Sequence, residues 1–158
     1  MANKKDILLQ TWAALFEAHP IAIKNVESLI KDHSPLGLDE YDFILSLSRE
    51  PSHRARLSLL ADKTLYTRSG ISRVSKRMLE KGYIKLEKCE EDKRGSYAVL
   101  LPKGIEALKK SWNSYSNAIV ETLEPCLNVE EAKTLERLLG KIIDELRGGD
   151  LIQLNRSR

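Results

Sequence analysis

Apolar residues recur every three or four positions along most of the chain, which predicts a mainly helical protein. Near the start this spacing runs from Ile7 to Phe16 and resumes at Ile23. Pro20 lies between the two runs, and a proline removes a helical N–H and crowds the preceding turn. The pattern therefore predicts either one long helix kinked at Pro20 or two shorter helices.

A break follows at residues 34–37, where a Pro and a Gly occur together. The next helix is predicted to open at Asp39, to place Tyr41, Ile44 and Leu45 on one face, and to end before Pro51.

Two short helices are predicted in the middle of the chain. The first covers about Arg56 to Thr64, and the second is capped by Thr67 and ends at Gly82. In the second helix Ile71, Val74 and Met78 fall within about 60° of each other around the axis. The opposite side carries hydroxyls and cations, namely Ser69, Ser72, Arg73 and Lys76. Such a pair is typical of a helix-turn-helix, whose second helix enters the major groove of DNA.

Two strands are predicted immediately afterwards, at Tyr83–Cys89 and Ser96–Leu101, around a turn at residues 90–95. A hairpin after a helix-turn-helix is a winged helix. Lys93 and Arg94 at its tip can reach a phosphate or the minor groove, and Asp92 can hold Arg94 in position. The alternative is an ordinary solvated turn with a chance ion pair.

The end of the chain predicts two further amphipathic helices. One begins near Ile105 and runs through Leu123, and the last has a wide apolar stripe from Leu135 to Leu146. A stripe of that width must be buried against something, either within the monomer or in a dimer.

Charge is distributed unevenly along the chain. We count 15 Lys and Arg against 7 Asp and Glu between Pro51 and Lys110, whereas the remainder has 11 against 16. The middle therefore carries +8 and the flanks −5, within a net charge of +3. A localised basic block is typical of a phosphate-binding surface, although a solvated charged face is the alternative.

Composition narrows the class of protein. The 158 residues suit one domain, and two cysteines without a C-x-x-C pair predict no disulfide framework and no metal site. We recognise no signal peptide, membrane span or catalytic motif, so we expect a cytoplasmic, nucleoid-associated protein that is not an enzyme and needs no cofactor.

The run from Leu59 to Gly104 resembles the DNA-binding lobe of the multiple antibiotic resistance regulator (MarR) family. The matching features are Leu60-Ala61, T-R-S-G-I-S-R at residues 67–73, Lys81-Gly82, and the Asp-x-Arg motif of Asp92 and Arg94. The resemblance extends outward through G-L-D-E-Y-D-F-I-L-S-L at Gly37 and covers nearly the whole chain.

The resemblance implies a mainly α (α+β) fold in a single domain over residues 1–158. The winged helix-turn-helix lobe would cover residues 38–104, and helices at 4–32 and 104–148 would form a homodimer. Each lobe would read one half-site of a roughly palindromic double-stranded DNA operator, with repression as the expected outcome. The candidate DNA contacts are Thr67, Arg68, Ser69, Ser72, Arg73, Lys76, Arg77, Lys93 and Arg94.

The family resemblance also implies a small aromatic or phenolic effector. Its candidate pocket combines Trp12, Phe16 and His19 of the first helix with Tyr41 and Phe43 of the second. The alternative is that these are core or interface residues and a surface histidine.

Two other functions stay open at this point. Cys89 lies beside Lys88, where a thiolate could be stabilised, so a thiol-based redox-sensing regulator is one alternative. A winged helix that only contacts other proteins, without specific DNA binding, is the second.

Overall fold

The computed structural model describes residues 3–64, 68–88 and 95–146. The chain divides into two compact units, Met1–Ile119 and Val120–Arg158. In chain order the described elements are α1 (Lys4–Ile30), α2 (Leu38–Ser48), a 3₁₀ turn (Pro51–His53), β1 (Arg54–Arg56), α3 (Leu57–Lys63), α4 (Arg68–Glu80), β2 (Ile84–Lys88), β3 (Ser96–Leu100), α5 (Pro102–Leu123) and α6 (Val129–Leu146). The expectation of a mainly helical protein with a small sheet is confirmed.

The first helix continues through Pro20, so the structure shows one long helix and not two shorter ones. Asn3 caps its start, since its side-chain oxygen accepts a hydrogen bond from the N–H of Lys5 at 3.3 Å. Pro20 and Phe16 are both exposed, so water can satisfy the carbonyl that the proline leaves unpaired. Only Val26 and Ile30, near the end of α1, are buried.

The second helix begins at Leu38, one residue earlier than predicted. Acidic side chains accept hydrogen bonds from backbone N–H groups at its start. Glu40 accepts a hydrogen bond from the N–H of Gly37 at 3.2 Å, and Asp39 accepts one from the N–H of Glu40 at 2.8 Å. Both carboxylates lie at the end of the helix where the peptide dipoles favour negative charge.

The main core is built from α2, α3, α4, α5 and the sheet. Its fully buried side chains include Phe43, Ile44, Leu47, Leu60, Met78 and Ile84. A second cluster joins the end of α1 to α2 and α5 through Val26, Ile30, Leu38 and Ala118. Helix α5 buries small residues, and the hydroxyl of its fully buried Ser111 donates to the carbonyl of Ala107 at 2.8 Å.

The sheet has three antiparallel strands in the order β1-β3-β2. The two predicted strands are confirmed as β2 and β3, which pair from Ile84 with Leu100 to Lys88 with Ser96. Strand β1 was not predicted. It has only three residues and forms because Ala55 pairs with Ala98 of β3, beyond the reach of local sequence patterns.

The connection from α4 to β2 confirms Gly82 as the end signal of the helix. Gly82 has φ +70°, a left-handed conformation that glycine adopts without a Cβ penalty. Its N–H donates to the carbonyl of Leu79 at 3.0 Å, and the N–H of Tyr83 donates to that of Met78 at 2.9 Å. These two bonds form a Schellman motif, which fixes the direction in which β2 leaves the helix.

Helix α6 has a well-capped start and an exposed apolar stripe. The side chain of Asn128 accepts hydrogen bonds from the N–H groups of Glu130 and Glu131, both at 3.0 Å. The helix buries none of its own residues in the single chain. Val129 in its first turn is exposed, and the exposed residues of the stripe are Leu135, Leu138, Ile142, Ile143 and Leu146.

Replacing Gly104 by Ala should lower the free energy of unfolding by about 1 to 3 kcal/mol, as overpacking does. A Cβ at this position would lie 2.6 Å from the carbonyl oxygen of Tyr83 and 2.7 Å from Cδ1 of Leu100. Chemical denaturation would measure the loss. The matched control is Gly140→Ala in α6, where an added Cβ meets nothing within 4 Å and helix propensity favours alanine. Equal stability of the Gly104→Ala and wild-type proteins would contradict this close packing.

Candidate nucleic-acid interface

The apolar face of α4 anchors the helix in the core. Ile71, Val74 and Met78 are 3%, 3% and 0% exposed, as the spacing predicted. They belong to the same buried cluster as Phe43 of α2, Leu60 of α3 and Ile84 of β2. The helix is therefore supported along its inner side by both neighbouring helices and the sheet.

The outer face of α4 carries polar and cationic side chains, also as predicted. Ser69, Ser72, Arg73 and Lys76 are all exposed. The ammonium of Lys76 lies 4.0 Å from a carboxylate oxygen of Glu80, but 78% of its side chain is accessible. An exposed pair of this kind contributes little, so Lys76 can exchange it for a phosphate. Arginine can fork onto guanine, and serine can bond to several base edges.

The side chain of Arg77 contacts carboxylates at the start of α2. Its guanidinium forms an ion pair with Asp39 and lies 3.4 Å from Oε1 of Glu40. Partial burial acts to lower the pKa of Arg77, but the Asp39 and Glu40 carboxylates outweigh it and raise that pKa above its ordinary value. Arg77 was predicted as a DNA contact, and its partners in the structure are carboxylates of the same chain.

Lys81, just after α4, completes this arrangement. Its ammonium lies 2.7 Å from both carboxylate oxygens of Glu40, whose side chain is only 7% exposed. We call Asp39, Glu40, Arg77 and Lys81 the ionic cluster. Sequence reasoning missed it, because nothing in the local pattern pairs the start of α2 with the end of α4.

A second basic surface lies on the outer face of the sheet. The guanidinium of Arg54 stacks on Tyr97 at 3.6 Å and donates to Glu87 at 3.0 Å, and Nε of Arg56 donates to the Tyr97 hydroxyl at 3.1 Å. Hydrogen bonds from Lys85 and then Arg54 lower the pKa of Glu87 below its usual value. Alternation of Arg54 and Arg56 was the available sequence signal, but β1 is too short to be recognised by it.

Several predicted site residues lie outside the part of the chain that the structure describes. They are Thr67, Cys89, Asp92, Lys93 and Arg94. Arg68 is the first residue of α4, and its backbone alone is described. The roles predicted for these residues stay predictions.

The predicted aromatic pocket residues fall into an exposed and a buried group. Trp12 and Phe16 are 68% and 74% exposed on α1, and His19 is exposed as well. Tyr41 and Phe43 are 2% and 0% exposed. Tyr41 stacks on Tyr115 of α5 with ring centroids 4.2 Å apart, and burial raises the pKa of both phenols.

An open cleft of about 490 Å³ lies between the end of α1 and the start of α2. Ile30, Leu36 and Leu38 give it apolar surface. Its polar lining includes Lys24, Glu27, Ser28, Lys31, Ser34 and Asp39. Sequence analysis did not identify this cleft, because its walls come together only when α1 packs against the loop at residues 34–37.

Among the described residues, no three His, Cys, Asp or Glu side chains come together as a metal site would require. In the same ranges, none of the helices has the length and apolar content needed to cross a bilayer.

Comparison with known proteins gives a family match for part of the sequence and similar solved structures for the fold. Residues 34–95, from the loop before α2 into the hairpin, match the sequence model of the MarR family. The fold is similar to the crystal structure of AbsC, a MarR family transcriptional regulator from Streptomyces coelicolor, with 25% identity, 94% and 98% of the two chains covered and a TM-score of 0.73. The family model therefore matches the middle of the chain, and the fold of nearly the whole chain is that of MarR family regulators.

Two other solved structures share the fold at lower identity. A MarR family regulator from Streptomyces coelicolor in complex with DNA has 23% identity, coverage of 92% and 91%, and a TM-score of 0.74. BpsR from Bordetella bronchiseptica, whose DNA binding is regulated by 6-hydroxynicotinic acid, has 18% identity, coverage of 85% and 99%, and a TM-score of 0.74. A search of curated protein sequences found no match.

MarR family regulators are DNA-binding transcription factors with a winged helix and are not enzymes. In this chain α3 and α4 correspond to the helix-turn-helix of that fold, and β2 and β3 correspond to the strands of the wing.

Proposed function

We propose that this protein is a ligand-responsive repressor of the MarR type that binds a roughly palindromic operator as a homodimer. The observation that carries the proposal is the division of α4 into a buried apolar face and an exposed face of serines and cations. A helix supported in this way can enter the major groove without rearranging the core.

The outer face of α4 would supply two kinds of DNA contact. Arg73 would read a guanine through its two N–H groups, and Ser69 and Ser72 would bond to neighbouring base edges. Lys76 would neutralise a phosphate, which adds affinity without sequence preference. Lys93 and Arg94 of the wing would add phosphate or minor-groove contacts beside the recognition helix.

Dimerisation would use the exposed apolar residues of the terminal helices. Helix α1 exposes Ile7, Leu8 and Leu9, each by half or more, together with Trp12 and Phe16. The stripe on α6 is exposed by 40% at Leu135 and by 82% at Leu146. Apolar surface of this extent marks an interface, and a two-fold dimer presents two recognition helices to two half-sites. Repression would follow from occupancy of the operator alone.

The cleft beside α1 and α2 supports a small-molecule effector. It combines apolar walls with the cations Lys24 and Lys31, which suits an aromatic ring bearing a carboxylate or phenolate. The regulation of BpsR by 6-hydroxynicotinic acid concerns a ligand of this chemical class. The exposed aromatic group of Trp12, Phe16 and His19 is the second location, which a dimer partner would have to complete.

A winged helix used only for protein contact is the competing function. It would not require hydroxyls and cations together on the outer face of α4. It would bind DNA no better than other proteins of similar charge.

DNA flanking the protein's own gene should bind at least about a hundredfold more tightly than random DNA at near-physiological salt, as specific regulators do. Arg73→Ala should cost about 1 to 3 kcal/mol on the specific site and relax the sequence preference, whereas Lys76→Ala should weaken binding to all sequences alike. Mobility shifts over a range of salt concentrations would measure both effects. Equal, strongly salt-sensitive binding to both DNAs would favour the protein-contact module.

Leu138→Glu should convert the dimer to monomer, because it places a charge within the apolar stripe of α6. Sedimentation equilibrium would report the mass. Glu136→Gln, an exposed position on the same helix, is the control that should stay dimeric. A dimer that survives Leu138→Glu would assign α6 a different role.

Addition of 6-hydroxynicotinic acid or related hydroxylated aromatic acids should release the protein from specific DNA. Lys31→Gln should raise the concentration needed for release several-fold if the cleft is the site, because a charge-assisted contact is lost. His19→Gln should do so instead if the aromatic group on α1 is the site. Release that neither variant alters would place the effector elsewhere, and no release by any acid in the series would contradict this effector class.

A further inference from the structure

The ionic cluster joins the first turn of α2 to the last turn of α4. It contains two carboxylates and two cations, and each bond between them joins residues that are 37 to 41 positions apart in the chain. The carboxylates of Asp39 and Glu40 lie at the N-terminus of α2, and the cations of Arg77 and Lys81 lie at the C-terminus of α4. Each pair of charges therefore also complements the dipole of its own helix.

Glu40 is the centre of this cluster. Its side chain is 7% exposed, and its carboxylate oxygens receive Lys81 at 2.7 Å, the N–H of Gly37 at 3.2 Å and Arg77 at 3.4 Å. A buried carboxylate is costly unless its oxygens are satisfied, and here the partners come from two helices. These bonds therefore constrain the position of the start of α2 relative to the end of α4 to within the distance range of a hydrogen bond.

The backbone at the end of α4 is held by a further contact. The ammonium of Lys103, in the first turn of α5, donates to the carbonyl of Lys81 at 2.8 Å. Together with the Schellman bonds at Gly82 and Tyr83, this contact leaves little freedom in the last turn of the recognition helix.

Arg77 lies four residues, or slightly more than one helical turn, beyond Arg73, which is about 6 Å further along the axis. Its guanidinium is held by Asp39 and Glu40. To bind a phosphate it would have to leave Glu40, which is buried, short of one cationic partner. Lys76 has no such constraint, since its ion pair with Glu80 is long and exposed.

We infer that Asp39 and Glu40 are positioning residues that set the orientation of α4 through Arg77 and Lys81, and that Arg77 serves this purpose instead of contacting DNA. The inference rests on the proposed function, because the orientation matters for reading DNA. It replaces the DNA contact predicted for Arg77 by a structural role. It also assigns a positioning role to the buried Glu40, which lies on a helix that does not enter the major groove.

The two roles of Arg77 predict opposite effects of Glu40→Gln. Removal of a negative charge near the DNA-binding face should by itself strengthen binding, and it would free Arg77 for a phosphate. If the cluster positions α4, Glu40→Gln should instead weaken binding to specific DNA on the order of tenfold, with little change on random DNA. Specific binding that is unchanged or tighter would overturn the inference.

Salt dependence separates the roles a second way. Lys76→Gln should reduce the slope of log affinity against log salt by about one, as expected for a lost phosphate contact. Arg77→Gln should lower specific affinity but leave that slope at the wild-type value. An equal reduction of the slope by Arg77→Gln and Lys76→Gln would show that Arg77 does contact a phosphate.

Hydrogen exchange tests the positioning role without DNA, so that it can be judged even if the proposed function fails. In Glu40→Gln the amides of Gly82 and Tyr83 should exchange at least about tenfold faster than in the wild type, because the last turn of α4 opens more often. Lys76→Gln should leave them unchanged. Wild-type exchange rates in Glu40→Gln would overturn the inference, whereas a wild-type protein without DNA preference would overturn only the proposed function.

Asp39→Asn provides the same test if Glu40→Gln does not fold. The Asp39 side chain is 44% exposed, so its substitution is milder, yet it removes the ion pair with Arg77. It should weaken specific binding and speed exchange in the same direction as Glu40→Gln. Wild-type behaviour in both measurements would overturn the inference.

Discussion

The packing of the apolar stripe of α4 is the interaction on which the rest of the structure depends. Ile71, Val74 and Met78 are buried against α2, α3 and the sheet, so rotation of the helix about its axis would expose them. The same constraint decides which residues face outward. Packing of the core does not restrict which polar residues occupy the outer face, so ligand binding can determine them. On this helix they are hydroxyls and cations suited to DNA.

Ion pairs and hydrogen bonds supplement this apolar packing at the end of α4. Apolar side chains fix the depth and rotation of α4, but they allow small shifts along the interface. Directional bonds from Lys81 and Arg77 to the buried Glu40 restrict such shifts at the end of the helix. In our proposal the basic residues of the middle segment therefore divide between two tasks, since some would face DNA and others hold the helix that would do so.

The cleft and the ionic cluster share one short segment of the chain. Asp39 lines the cleft and also pairs with Arg77, while Gly37 lines the cleft and donates to Glu40. A displacement of this segment therefore changes both the cleft and the ionic cluster. The start of α2 thus connects the cleft with α4 through direct contacts.

The sequence by itself determined the elements that depend on local periodicity and on single residues with strong backbone preferences. The two faces of α4, the left-handed Gly82 and strands β2 and β3 all follow from neighbours within a few positions. Tertiary structure alone decided the existence of β1, the burial of Glu40, the partners of Arg77 and the separation of Tyr41 and Phe43 from solvent. Each of these depends on residues that are distant in the chain, and spacing along a single helix or strand carries no information about which of them meet.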